Sequence, residues 1–204
     1  MVDAAIDHLV VTAATLAEGA DWVESRLGAR PGPGGRHDLM GTHNLLLGLG
    51  PDTYLEVIAI DPDAPAPGRR RWFGLDDRRG GPRLSHWVMR VADLDAALKR
   101  APAGSGEPVA LARGPYRWRF AVTSDGRLPF DDIHPALIEW QGDRHPARDL
   151  PDSGARLAGL TLAHPRAGAL GAILPKRIAG MTLAEGPPAL GARIVTAADE
   201  RSLP

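Results

Sequence analysis

The chain has 204 residues, 24 lysines and arginines against 25 aspartates and glutamates, no cysteine and 44% hydrophobic residues. That length can bury a real core, and the near-zero net charge lacks the basic excess of a nucleic-acid binder. The absence of cysteine excludes a disulfide scaffold, a thiolate metal site and a cysteine nucleophile, and no apolar run reaches the roughly 20 residues of a bilayer crossing. A soluble, cytoplasmic protein that binds neither nucleic acid nor membrane is the expectation.

Residues 5–11 (AIDHLVV) read as a strand, rich in apolar and β-branched residues. Thr15 and Glu18 then form a capping box, Leu16, Ala20, Val23 and Leu27 make one helical stripe, and Gly28 stands where a helix ends. A Gly/Pro turn at 31–35 leads to two short apolar runs, 43–50 and 53–60, which predict a strand pair. Residues 61–83 are rich in proline and arginine without periodicity, and they predict a solvated crossover, its charge partly neutralised by Asp76 and Asp77.

The pattern then restarts. Residues 84–91 (LSHWVMRV) have the shape of the first strand, Asp93 caps a shorter helix that Pro102 stops, and 117–123 and 136–141 are strand-like. An offset of 78 residues overlays His8 on His86. A weaker third round follows: a strand at 157–164, a short helical stripe through Leu170, Ile173 and Leu174, and a last strand at 191–197, with Gly159 in the histidine's place.

Strand alternation puts His8 on a face with Ile6 and Val10, Glu56 with Tyr54 and Ile58, His86 with Leu84 and Val88, and Glu139 with Leu137 and Gln141. A carboxylate on an apolar strand face needs a partner, a hydrogen bond or a metal. Two readings follow: a buried Glu–His hydrogen bond in each repeat, or four side chains converging on one ion. Two imidazoles with two carboxylates suit Zn, Ni, Co, Mn or Fe(II) rather than Ca or Mg.

IDHLVV, GRHDLMGTHNLLLGLG and TYLEVIAIDP resemble the glyoxalase-like branch of the vicinal oxygen chelate superfamily, over about residues 5–141. The resemblance implies an α+β fold in which paired βαβββ modules form an open curved-sheet cup, here with a degenerate third βα unit at the C-terminus. The corresponding boundaries are 5–61 and 84–142 for the modules, 62–83 for the crossover loop and 155–204 for the third unit, within a single glyoxalase-like domain. It implies a divalent metal held by His8, Glu56, His86 and Glu139, with Glu56 or Glu139 moving a proton. The activity implied is that of a lyase, isomerase or dioxygenase acting on a small oxygenated molecule. The alternative is a metal-free relative that sequesters a small molecule in the cup. Arg36, His37, His43, Trp118 and His134 are candidate substrate contacts; His145 and His164, each before a proline, read as structural. The oligomeric state stays open between monomer and homodimer.

Overall fold

A computed structural model describes residues 4–204. The first round is β1 (Ala5–Thr12), α1 (Leu16–Leu27), β2 (Gly32–His37), β3 (Thr42–Gly48) and β4 (Tyr54–Ile60), and the second is β5 (Arg83–Arg90), α2 (Leu94–Leu98), β6 (Glu107–Arg113), β7 (Tyr116–Val122) and β8 (Ala136–Trp140). Together they build one eight-stranded sheet in the order β2-β3-β4-β1-β5-β8-β7-β6. Each round pairs its first strand parallel with its last (β1 with β4, β5 with β8), and the two first strands join the halves antiparallel. The sheet curls into a half-barrel, an α+β architecture with few helices.

The local signals explain the elements. Thr15 Oγ1 accepts from the Glu18 amide at 3.2 Å, and Gly28 closes α1 at φ 67°, a left-handed conformation that glycine adopts without strain. Asp93 caps α2 by accepting from the Ala96 amide at 2.9 Å. Two expectations need correction. The Gly/Pro segment after Pro31 is the edge strand β2, which tolerates Pro33 because one side of an edge has no ladder to complete. Residues 61–83 are not a solvated crossover throughout: a 3-10 turn at Trp72–Asp77 buries Trp72, Phe73 and Leu75.

Two cores flank the sheet. Outside it, Leu9, Val11, Val23, Leu55, Val57, Trp87, Met89 and Leu137 pack beneath the helices. Inside it, Val10, Met40, Ile58, Val88, Phe120 and Ile138 pack against Trp72 and Phe73, so the crossover fills much of the cup.

After the short helix α3 (Pro146–Asp149), the C-terminal part repeats the element order: β9 (Arg156–Ala163), α4 (Ala167–Ile173), β10 (Met181–Ala184), β11 (Ala189–Val195) and β12 (Glu200–Leu203). Its separate sheet runs β10-β9-β11-β12, so the first strand pairs with the second rather than with the last. Leu160, Leu162, Leu170, Ile194 and Leu203 join the outer core. This unit therefore covers the outside of the half-barrel and contributes no wall to the cup.

Candidate functional site

Strand irregularities, not simple alternation, set the site. A register shift between Ile6 and His8 breaks the β1–β5 ladder at Asp7. Ile6 turns to the outer core, while Asp7 and His8 reach each other, with Asp7 Oδ1 2.7 Å from His8 Nδ1. A second shift lies opposite Ser85, where Leu84 joins the outer core and Ser85 Oγ sits 2.9 Å from His86 Nδ1. Neither Ile6 nor Leu84 therefore shares the histidine's face, as alternation had predicted. The duplicated histidines share one device: the preceding side chain holds Nδ1, which fixes the ring.

His8 Nε2 faces Glu56 Oε2 at 3.5 Å, and Asn44 Nδ2 donates to Glu56 Oε1 at 2.5 Å. Asp7 is fully buried and accepts from Trp140 Nε1 at 2.9 Å, with His145 Nε2 at 3.0 Å. Burial works against charge on His8, yet its hydrogen bonds to Asp7 and Glu56 outweigh it and push the imidazole up to about 9. Burial would likewise raise Glu56, but its hydrogen bond with His8 and the histidine's charge bring it down to about 2. Asp7 is held well below the usual carboxylate range, its bonds to His145 and His8 overcoming burial. A cation clasped between two carboxylates thus lies at the floor of the cup, with the Tyr54 ring stacked on His8 at 4.5 Å.

Above this floor sits His37, pulled down to about 4 by burial, its Nδ1 3.1 Å from Thr42 Oγ1. Arg113, at the end of β6, donates to Asn44 Oδ1 at 2.9 Å and lies 3.4 Å from His37 Nε2. It bridges the two ends of the sheet and roofs the site. Trp72, Trp118, Phe120 and Trp140 complete the walls. The free space among these side chains is about 30 Å³, enough for a water and not for a substrate.

The second histidine has a different partner. Val10 of β1 stands opposite Glu56 of β4; its counterpart Val88 of β5 stands opposite Ala136 of β8. Alanine therefore occupies the place of the first round's glutamate. Glu139, three residues further on, lies on the outer face with Leu137, while Ile138 and Trp140 point inward. Its Oε2 accepts from the Leu94 amide at 2.7 Å and from Arg119 at 3.3 Å, which ties it to the start of α2. A carboxylate instead approaches His86 from Asp132, whose Oδ1 is 3.6 Å from a buried Nε2 without a hydrogen-bond partner among the described residues. Asp132 belongs to a run of three left-handed residues, Phe130, Asp131 and Asp132, at φ 57°, 53° and 68°.

The expected four-ligand set is thus not assembled: His8 and Glu56 meet, His86 meets Asp132 beside the Phe73 ring, and Glu139 is on the other side of the sheet. Among the described residues no three His, Asp or Glu side chains converge as a metal centre. Of the substrate candidates, His37 and Trp118 line the small cavity. Arg36 is exposed and pairs with Asp61 and Asp63; His43 shares the outward face of β3 with Leu45 and Leu47, so its neighbour Asn44 faces the site instead. His134 lines a different cavity, outside the sheet.

Sequence reasoning gave no role to Asp7, Asn44 or Arg113 and named Tyr54 only as sharing the face of Glu56; His145, read as structural, supports the buried Asp7. Regular strand alternation would put Asp7 and His8 on opposite faces, and so gives no sign of their contact.

Comparison with known proteins agrees with the fold. A family model described as a glyoxalase-like domain matches residues 6–177. The crystal structure of a hypothetical protein from Staphylococcus aureus is 11% identical and superposes with a TM-score of 0.62, over 90% of this chain and 86% of its own. Methylmalonyl-CoA epimerase from Mycobacterium tuberculosis is 23% identical, TM-score 0.43, over 68% of this chain and 88% of its own. The Streptomyces coelicolor epimerase variant in complex with 2-nitronate-propionyl-CoA is 16% identical, TM-score 0.42, over 66% and 94%. No curated protein sequence matches the chain.

Proposed function

The chain belongs to the glyoxalase-like domain family, within the vicinal oxygen chelate superfamily, and from that premise we propose that it is an enzyme moving a proton on a small oxygenated molecule bound over His8 and Glu56. The observation that carries this reading is the Asp7–His8–Glu56 arrangement: a buried imidazole, fixed at Nδ1, whose Nε2 faces a buried carboxylate. Holding two buried carboxylates and an imidazolium under an aromatic roof is costly, and perturbed groups of this kind concentrate at reactive sites.

The chemistry suits a C–H acid next to a carbonyl. A substrate oxygen entering between His8 and Glu56 separates the pair and returns Glu56 toward ordinary carboxylate basicity. Glu56 then accepts the proton, while His8 Nε2–H donates to the oxygen on which charge develops. Arg113 is placed to orient an anionic substituent. Because the space is too small as it stands, binding requires the β6–β7 hairpin or the Trp72–Phe73 turn to move aside.

A divalent ion, Zn, Ni, Mn, Co or Fe, is the family's other use of such donors. His8 and Glu56 are two of the four ligands that the resemblance implied and would remain available to such an ion, whereas Glu139 faces away and would not. The deciding experiment incubates untagged protein in D2O with a panel of small hydroxyketones and 2-oxo acids and follows C–H exchange by NMR, alongside metal analysis of the same sample. Exchange lost in Glu56→Gln and independent of metal content supports the proposal. Exchange that tracks about one bound ion favours the metal-dependent reading, and saturable binding without exchange favours sequestration.

A further inference from the structure

The outer face of the second module carries a cavity separate from the cup. It holds about 680 Å³, within the range of small-molecule sites. Met89 and Leu137 line it from the convex side of β5 and β8, Val91 from just beyond β5, Ala97 and Ala101 from α2 and the turn after it, and Leu174 from the end of α4. It lies at the seam between the half-barrel and the C-terminal unit, where the short α2 and α4 do not close over the sheet. The walls are therefore apolar because they belong to the outer core.

The mouth has the opposite character. Arg100, Lys176 and Arg177 lie at it, all exposed, and among the described residues none of the three forms an ion pair. Most other arginines of this chain are paired; Arg30, Arg70, Arg119, Arg156 and Arg193 all have carboxylate partners. His134 also lines the cavity, is only 3% exposed, and its Nδ1 has no hydrogen-bond partner among the described residues. Burial pulls that imidazole down to about 4, so it is neutral near pH 7, able to donate from one nitrogen and accept at the other.

We propose that this cavity binds an amphipathic anion, its apolar body against Met89, Val91, Leu137 and Leu174 and its head group at Arg100, Lys176 and Arg177. The two halves of the site select this class together. A neutral hydrocarbon would leave three neighbouring cations without a counter-charge, and a small hydrophilic anion would leave the apolar walls wet. This cavity shares no lining residue with the cup, so its ligand is independent of proton transfer over His8 and Glu56.

The test uses the full chain and 1-anilinonaphthalene-8-sulfonate fluorescence, with decanoate and decanol as competitors and circular dichroism to verify folding. One saturable equivalent is expected, displaced by decanoate at concentrations about tenfold lower than by decanol. The surface double variant Lys176→Glu/Arg177→Glu should weaken decanoate about tenfold while leaving decanol unchanged. Ala101→Trp, which fills the cavity from its wall, should abolish binding of both. Equal competition by the two competitors would overturn the proposal, as would a charge-reversed protein that binds decanoate like wild type. Loss of the probe in Trp118→Ala but not in Ala101→Trp would place it in the cup and equally defeat the assignment.

Discussion

Nδ1 of His8 lies 2.7 Å from Oδ1 of Asp7, the residue immediately before it in the same strand. Consecutive strand residues ordinarily face opposite ways, and the bulge at this point removes that constraint. Asp7 then spends its second oxygen on Trp140 of β8 and on His145, so one buried carboxylate joins both rounds of the sheet.

Replacing Asp7 with asparagine should therefore act on chemistry and stability together. The His8 titration is expected to fall from about 9 toward its ordinary value of 6.5, because its strongest favourable partner, the Asp7 carboxylate, loses its charge. Unfolding stability should drop by about 2–4 kcal/mol, the usual cost of disrupting a buried charged network. Two-dimensional NMR of the histidine rings and urea denaturation check the two halves; a His8 titration that does not move would refute the account.

Stability should peak near pH 6.5 and decline on both sides. His8 is raised, so its contribution is complete below 6.5 and is lost as pH rises through about 9. His37 and His134 are lowered to about 4, so the unfolded chain binds their protons first and stability falls as pH drops from 6.5 to 4. Glu56, lowered to about 2, adds a loss that begins below its ordinary 4.5. Each of these groups contributes on the order of 3 kcal/mol, so the acid limb, which sums two histidines and Glu56, is the larger of the two. Urea midpoints measured across this range test it, and stability still rising above pH 7 would contradict it.

Glu139 and Glu56 should separate cleanly. Glu139→Ala strips a carboxylate from the Leu94 amide at the start of α2 and should cost about 1 kcal/mol, with the cup untouched. Glu56→Gln should remove proton exchange while the His8 titration falls only partway, because Asp7 still holds Nδ1. Thermal denaturation and the exchange assay distinguish them; equal loss of exchange in both variants would mean that Glu139 acts in the cup after all.

Phe73 offers a test of strain. It holds a left-handed backbone at φ 58°, which favours glycine, while its ring packs 5.0 Å from His86. Both Phe73→Ala and Phe73→Gly lose the buried ring, about 3 kcal/mol or more. Glycine should nonetheless be the more stable of the two by roughly 1 kcal/mol, the reverse of their usual order. Comparative urea unfolding reads the difference, and an alanine variant more stable than glycine would sink the strain argument.

Much of the fold was legible because its signals are local. Thr15, Glu18 and Gly28 mark α1 through bonds made within a few residues, and the paired apolar runs at 43–50 and 53–60 emerge as β3 and β4. His8 and Glu56 were legible as a buried pair because an imidazole and a carboxylate on apolar strands need one another. β6 and β2 were not read as strands, since a weakly alternating or glycine-rich edge strand carries little hydrophobic pattern.

The sequence by itself determined that two rounds of strand and helix repeat, that each opens on a strand histidine, and that the helices begin and end where their caps stand. Only the tertiary structure decided which face of each strand looks into the cup. Alternation groups Leu137 with Glu139 correctly but carries no sign for inside or outside, and that sign comes from strand pairing, which sets Ala136 where the first round has Glu56. The same holds for Trp72 and Phe73: a proline- and arginine-rich segment without periodicity gives no hint that its aromatics plug a half-barrel, because the partner surface includes strands more than about 60 residues away along the chain, such as those carrying Val10 and Ile138.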